Sequence, residues 1–346
     1  MTQPLVATTY DAVALPLRRR LPVWLLLACT SVWLAEVTAT SSRFPFLTAP
    51  GWLMLVPLYG LHTLVGGWLV MRAHRLTWPV VYLPGVLFGL YEAYLTKVLW
   101  SPTWFADEWQ WVAGGVHVGQ TLSLVLFWHP LLAFVLPLAL VERAVTGSSE
   151  VLAVLPRPLR WLAGSRWGIV VLGVLAGTYS AVNSTWLVAL GSAATTIVLV
   201  LALREVVVRT PTPSLRAVLP TNRQAAWLGG MLVAGYLVLG FGMRPEAVPP
   251  VWPGQVTVWA MYAVVAGLYM VALRRSRTLP FALAPAVDPP SRRPLLALGL
   301  AFTAAATLAA LVPGPSWLAY ATLLGGTLAC TVGFVVVAIR VLLPHP

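Results

Sequence analysis

The sequence predicts an all-α polytopic membrane protein with about ten transmembrane helices and with both termini in the cytoplasm. Three observations carry this prediction: the composition, the lengths of the apolar runs and the distribution of the arginines. The 346-residue chain is 59% hydrophobic and only 9% charged, and its mean hydropathy is +0.83. Because about a quarter of the residues of a soluble domain are charged, the composition excludes that class.

The apolar runs have the length that a membrane span requires, which is about 20 residues for a helix. Ten runs are found, at 21–39, 51–71, 78–99, 119–141, 167–183, 186–206, 225–243, 255–273, 295–312 and 317–340. Residues 167–206 are divided at Asn183-Ser184-Thr185, because a single helix over this stretch would be about 60 Å long. Long runs without alternation favour helices over the strands of a barrel.

The arginines flank these runs unequally. With the amino terminus inside, nineteen arginines fall on the cytoplasmic side and only Arg43 and Arg244 on the other, as the positive-inside rule expects of a multi-pass protein of the plasma membrane. We interpret the net charge of +12 as attraction to anionic lipids of the inner leaflet. No basic run alternates with exposed aromatic residues, so a nucleic-acid partner is not expected.

The polar residues divide the chain into three parts. Residues 1–20 are predicted to be a cytoplasmic amino-terminal segment, residues 21–206 to form helices one to six with a polar site, and residues 207–346 to form helices seven to ten as a packing scaffold. The last four runs contain no acid, base or histidine in their interiors. Their glycines are expected to permit close helix packing; these are Gly229, Gly230, Gly235, Gly267, Gly325 and Gly326.

Ionisable residues inside the first spans mark the candidate site, because a charge in the bilayer costs several kcal/mol. The residues predicted to bind a substrate or a proton are Glu92, His129, His62, Lys97, Glu36 and Asn183. His62 and His129 each lie roughly ten residues from the outer end of their span, and depth follows from a helix rise of about 1.5 Å per residue. The site is therefore predicted in the middle and outer half of the membrane.

The third run predicts which way its charges face. Gly85, Gly89 and Ala93 form a small-residue ridge at four-residue spacing, the kind that packs against a neighbouring helix. Glu92 lies beside this ridge and Lys97 continues it, so both side chains are expected to point into the bundle. A spacing of five residues does not bring them together on one helix. Each is expected to find a partner on another span, with Glu36 as the partner of Lys97.

Four tryptophans follow this run: Trp100, Trp104, Trp109 and Trp111. Trp100, Trp104 and Trp111 recur at helical spacing and predict a short helix at the membrane surface. Such a helix serves either as part of an interfacial aromatic belt or as a lid over an outward-facing cavity.

Three functions fit this pattern. The first is a carrier or permease for a small solute, with a proton or cation on Glu92 and with His62 and His129 lining a midplane cavity. The second is an intramembrane hydrolase or transferase acting on a lipid or peptide, in which Glu92 activates water and His129 and Asn183 stabilise the developing charge. The third is an accessory subunit of a membrane complex.

No metal site is expected, because Cys29 and Cys330 stand alone in the apolar runs. No cofactor is expected either, although ligation of a haem by His62 and His129 is a further hypothesis.

Overall fold

The computed structural model describes residues 14–101, 111–146, 148–209, 212, 214–279, 291–312 and 316–343. These residues are predominantly helical, which confirms the all-α polytopic class. A small hairpin joins β1 (Val112–Ala113) to β2 (Val116–His117) between the third and fourth predicted spans.

The helices are numbered here in chain order. They are α1 (Leu17–Val37), α2 (Gly51–Met71), α3 (Trp78–Gly89), α4 (Tyr91–Tyr94), α5 (Val118–Val145), α6 (Glu150–Val154), α7 (Arg157–Gly164), α8 (Arg166–Ser180), α9 (Trp186–Val208), α10 (Leu215–Val218), α11 (Asn222–Gly242), α12 (Val251–Ser276), α13 (Arg293–Leu311) and α14 (Ser316–Leu342). In the described part of the chain, eight of them are long and apolar enough to cross a membrane: α1, α2, α5, α9, α11, α12, α13 and α14.

Two of the ten predicted spans are shorter than expected. The third is interrupted, because α3 ends at Gly89, α4 is a single turn, and Lys97 then adopts a left-handed backbone conformation with φ of 61°. The fifth, α8, has 15 residues. The break predicted between the fifth and sixth spans is confirmed, since α8 ends at Ser180 and α9 begins at Trp186. The cytoplasmic location of both termini stays a prediction.

A sharp corner precedes α8. The axes of α7 and α8 differ by 93° across Ser165, whose side chain accepts the N–H of Gly168 at 2.8 Å and so caps the start of α8. On α7, Arg160 and Trp161 are exposed while Ala163 is buried, so this short helix has an exposed face and a face packed against the protein.

The small-residue ridge of the third span packs as predicted. A Cβ on Gly85 would lie 2.8 Å from Pro130 Cα, and a Cβ on Gly89 would lie 2.8 Å from Val125 Cα. The absence of side chains therefore allows α3 to lie directly on the backbone of α5. This contact is what brings the end of the third span next to the middle of the fourth.

Five of the six glycines predicted to pack closely in the last four spans do not do so. Among the described residues, nothing lies within 4 Å of a Cβ added to Gly229, Gly230, Gly235, Gly267 or Gly325. The expected close packing at these five is wrong, because they lie on faces turned away from the other helices. At Gly326 the expected close packing is found, because a Cβ there would lie 2.5 Å from the Phe127 ring. Close packing also occurs between α8 and α13, where a Cβ on Gly177 would lie 2.3 Å from the Phe302 carbonyl oxygen.

The α3–α5 contact gives a stability prediction. Gly89→Leu inserts a side chain where α5 backbone lies, so we expect the free energy of unfolding to fall by about 1–3 kcal/mol. Gly230→Leu, at a position with open space around it, is the matched control and should not lower the value, since leucine favours a helix over glycine by up to about 1 kcal/mol. Titration with SDS of the purified protein measures both, and equal values for the two variants would contradict the packing described.

The end of α5 is fixed by Glu142, which is 1% exposed. Its carboxylate accepts the backbone N–H of Glu150 at 2.7 Å and that of Val151 at 3.0 Å. It also accepts the hydroxyl of Ser148 at 3.2 Å. Because these N–H groups belong to the first turn of α6 and have no partner within the helix, Glu142 is the cap of α6.

Candidate functional site

The candidate site lies where α1, α2, α4 and α5 meet. Glu92 on α4 and His129 on α5 are in contact, with 3.1 Å between Glu92 Oε1 and His129 Nε2. Both residues are buried, at 5% and 2% exposure. The structure thus pairs two of the predicted site residues that the sequence places 37 positions apart, and Glu92 finds its partner on another span as expected.

The number of protons on this pair follows from its neighbours. His129 Nδ1 lies 3.1 Å from the carbonyl oxygen of Leu124, which only accepts hydrogen bonds, so Nδ1 carries a hydrogen. Nε2 faces a carboxyl oxygen, and two lone pairs repel at this distance. A proton on Nε2 or on the carboxyl group turns this contact into a hydrogen bond. In either case the pair has no net charge, which suits its burial.

Thr96 holds the other oxygen of Glu92. Its hydroxyl lies within hydrogen-bonding distance of Glu92 Oε2 and, at 2.9 Å, of the Glu92 carbonyl oxygen. Its own carbonyl accepts a hydrogen bond from the Arg244 guanidinium at 3.1 Å. The carboxyl group is thus fixed on both sides by protein groups.

A chain of hydrogen-bonding groups leads away from the pair. The Tyr91 hydroxyl lies 3.1 Å from His129 Nε2 and 3.1 Å from the Tyr59 hydroxyl. The Tyr59 hydroxyl in turn donates to Glu36 Oε1. We call Glu36, Tyr59, Tyr91, His129 and Glu92 the buried polar chain. It connects two predicted carboxylates through two tyrosines that the sequence analysis did not single out.

Lys97 does not pair with Glu36, which corrects the expectation from the sequence. Its ammonium donates instead to the carbonyl oxygens of Leu239, at 3.2 Å, and Met243, at the carboxyl end of α11. A cation is stabilised there by the carbonyl oxygens at the end of the helix and by the helix dipole. The backbone at Lys97 is left-handed, and its side chain contacts the end of α11. Lys97 therefore links the end of the third span to α11 and lies outside the buried polar chain.

His62 belongs to a separate set of contacts. Its Nδ1 lies 2.8 Å from the Leu58 carbonyl oxygen, its Nε2 lies 3.0 Å from the Tyr236 hydroxyl, and its ring stacks on Phe88 with 4.3 Å between centroids. The Tyr262 hydroxyl donates to that of Tyr236 at 3.5 Å. Helices α11 and α12 therefore contribute polar groups near the site, and the division into a polar part and a scaffold stays a prediction.

The remaining predicted residues lie elsewhere. Asn183 is exposed in the turn before α9, where its carbonyl oxygen accepts a hydrogen bond from Arg43 at 3.3 Å. Trp100 is buried and packs edge-to-face on Tyr94, and Trp111 is exposed. Trp104 and Trp109 lie outside the described residues, as does most of the predicted surface helix.

Comparison with other proteins agrees with this architecture. A group of sequences described as an uncharacterized membrane protein family matches residues 25–345. The chain belongs to this membrane protein family. It is also 36% identical over 247 residues to a protein of Archaeoglobus fulgidus described as an uncharacterized protein, a match that covers 70% of the chain and 75% of that relative. No solved structure matches the chain.

In this member of the family, the matched segment contains the whole buried polar chain as well as His62. The haem hypothesis stays a hypothesis: ligation by two histidines needs both ligating nitrogens to face the iron, whereas here Nε2 of His62 faces Tyr236 and Nε2 of His129 faces Glu92. The protein is thus an integral, multi-pass membrane protein with a buried contact between Glu92 and His129 among its first helices.

Proposed function

We propose that the protein is a carrier or permease of the plasma membrane that couples the movement of a small solute to a proton held by Glu92 and His129. The observation that carries the proposal is their 3.1 Å contact inside a membrane protein, because one proton shared by the two groups leaves the buried pair without net charge. Groups of this kind inside a membrane are typical of proton relays in transporters, and histidine changes its charge near physiological pH.

The surroundings of Glu92 support transport more than hydrolysis. A general base must reach the water that it activates, whereas Thr96 and His129 already contact both oxygens of Glu92. Asn183, the residue expected to assist in stabilising an oxyanion, is exposed in a distant turn. The geometry suits a group that stores and releases a proton.

The interrupted third span supports the same function. Transporters place solute and ion sites at broken transmembrane helices, where backbone groups are freed from the helix. Here α3 ends at Gly89, Glu92 lies on the single turn of α4, and the chain is irregular from Leu95 onward. Glu92 therefore lies at such a break.

The proposal is tested with the full chain in proteoliposomes. The vesicles receive a small-molecule extract of the source cells and an imposed pH gradient, and mass spectrometry identifies the solutes retained. We expect at least one solute to accumulate in wild-type vesicles and to be lost when a protonophore dissipates the gradient. Glu92→Gln should reduce accumulation to the level of empty vesicles.

The matched control is Glu205→Gln, because Glu205 is a carboxylate on the surface of α9 that pairs with Arg204. This variant should accumulate the solute as the wild type does. Full accumulation by Glu92→Gln, or the absence of any accumulated solute in wild-type vesicles, would contradict the proposal.

A further inference from the structure

Tyr59 occupies the junction of the buried polar chain. Its hydroxyl donates to Glu36 on α1 and lies 3.1 Å from the Tyr91 hydroxyl on α4 and 3.5 Å from His129 Nε2 on α5. Its side chain is 1% exposed, and its ring packs edge-to-face on Phe88 with 5.5 Å between centroids. The ring is held in place, so only the hydroxyl hydrogen has freedom to change partners.

Glu36 is where the buried polar chain meets the surface. It is half-buried, near the end of α1, and the hydroxyl of the exposed Ser41 donates to its second oxygen. Within the described residues, the Glu36 carboxylate is linked to the interior through Tyr59. A proton that passes between the surface and the Glu92–His129 pair along this chain must therefore cross the Tyr59 hydroxyl.

We propose that Tyr59 relays protons between Glu36 and the pair formed by Glu92 and His129. This inference deepens the proposed function and rests on it for the role of the pair. It identifies Tyr59 as the residue through which a proton reaches the pair. The proton enters from the membrane face on which the connection between α1 and α2 lies.

The transfer balances without any other reactant. The O–H bond of Tyr59 breaks as its proton passes to Glu36, and the Tyr59 oxygen takes the hydroxyl proton of Tyr91. Tyr91 takes the proton on His129 Nε2, so one proton leaves the pair and one arrives at Glu36, with no change in oxidation state. Loading of the pair is the same set of transfers in reverse, with one proton lost by Glu36 and one gained by the pair. The 3.5 Å contact between Tyr59 and His129 offers a second route that omits Tyr91.

The groups that face the Tyr59 hydroxyl come from three other helices. Glu36 of α1, Tyr91 and Glu92 of α4 and His129 of α5 surround the hydroxyl of Tyr59 on α2. His62, one turn along α2, stacks on Phe88 and bonds to Tyr236 of α11, so it stands beside the chain without forming a link in it.

The relay is tested by the rate at which a proton reaches Glu92. The full chain in lipid nanodiscs is mixed with a caged-proton compound, a light flash releases the proton, and time-resolved infrared spectra follow the difference band that Glu92→Gln removes. We expect Tyr59→Phe to slow the rise of this band by about 100-fold, the lower end of what a positioned proton-transfer group contributes. The final amplitude of the band should be unchanged.

Two further tyrosines provide the controls. Tyr82→Phe removes a buried hydroxyl that donates to the Leu126 carbonyl, outside the buried polar chain, and should leave the rate unchanged. Tyr91→Phe should slow the rate less than Tyr59→Phe, because the direct contact between Tyr59 and His129 remains. A purely structural role of Tyr59 would change stability without selectively delaying this band.

Each outcome decides the inference. A wild-type rate in folded Tyr59→Phe would overturn it, as would a wild-type protein in which the Glu92 band never responds. If Tyr59→Phe does not fold, Glu36→Gln tests the same path from its outer end, and a wild-type rate there would overturn the relay. Slowed kinetics together with a lack of solute accumulation would contradict the proposed carrier function and leave the relay standing.

Discussion

Replacing His129 by leucine is expected to lower the free energy of unfolding by about 3–5 kcal/mol, the cost of breaking a buried ionisable pair by removing one partner. Leucine has a similar volume, so the loss arises from Glu92, which then lies buried without the group that shares its proton. The Leu124 carbonyl also loses its hydrogen bond from Nδ1. Titration with SDS of the purified protein in mixed micelles measures the change.

A double-mutant cycle separates the pair from the packing. Glu92→Leu combined with His129→Leu removes both partners, so the double variant should be more stable than the sum of the two single changes predicts, by about 0.5–3 kcal/mol. Additive effects would show that the two side chains do not share a proton in the membrane. Gly230→Leu, which adds a leucine where no other residue is near, again serves as the control for the effect of introducing a leucine.

Replacing Glu142 by leucine is expected to cost about 3 kcal/mol or more. Three backbone N–H groups of α6 and the Ser148 hydroxyl would lose their acceptor, and each buried unsatisfied polar group costs about 1–3 kcal/mol. Glu142→Gln keeps one acceptor oxygen and should lose about half as much. Hydrogen exchange of Glu150 and Val151 measures the local effect.

Slow exchange at Glu150 and Val151 in Glu142→Leu, equal to that of the wild type, would show that another group caps α6. This prediction concerns the connection between α5 and α7 alone, because Glu142 lies far along α5 from His129. Solute accumulation by Glu142→Gln is therefore expected to persist.

The sequence predicted the membrane class and most helices because composition and length determine them directly. It also identified Glu92 and His129 as candidates, since an ionisable residue in an apolar run stands out. It could not identify Tyr59 and Tyr91, because tyrosine is common in apolar runs and its hydroxyl carries no charge. Only the packing of α3 on α5, through Gly85 and Gly89, shows which groups meet.

The end of the third span shows a different limit. Apolar residues continue to Leu99, so the run predicts a longer helix than exists. The irregular backbone is stabilised by distant groups: Arg244 donates to the carbonyl of Thr96, and the backbone N–H of His117 donates to that of Leu99 at 2.8 Å. Periodicity within the run contains no information about these partners, and the wrong pairing predicted for Lys97 has the same cause.

The corner at Ser165 is expected to make the tilt of α8 depend on the thickness of the bilayer. If α8 stands across the membrane, α7 lies along its surface, with Arg160 and Trp161 reaching the lipid headgroups. We then expect a thinner bilayer to move α7 toward the membrane midplane and, through the corner at Ser165, to change the tilt of α8. At Gly177 the backbones of α8 and α13 are in direct contact. We therefore expect these two helices to tilt together rather than slide past each other.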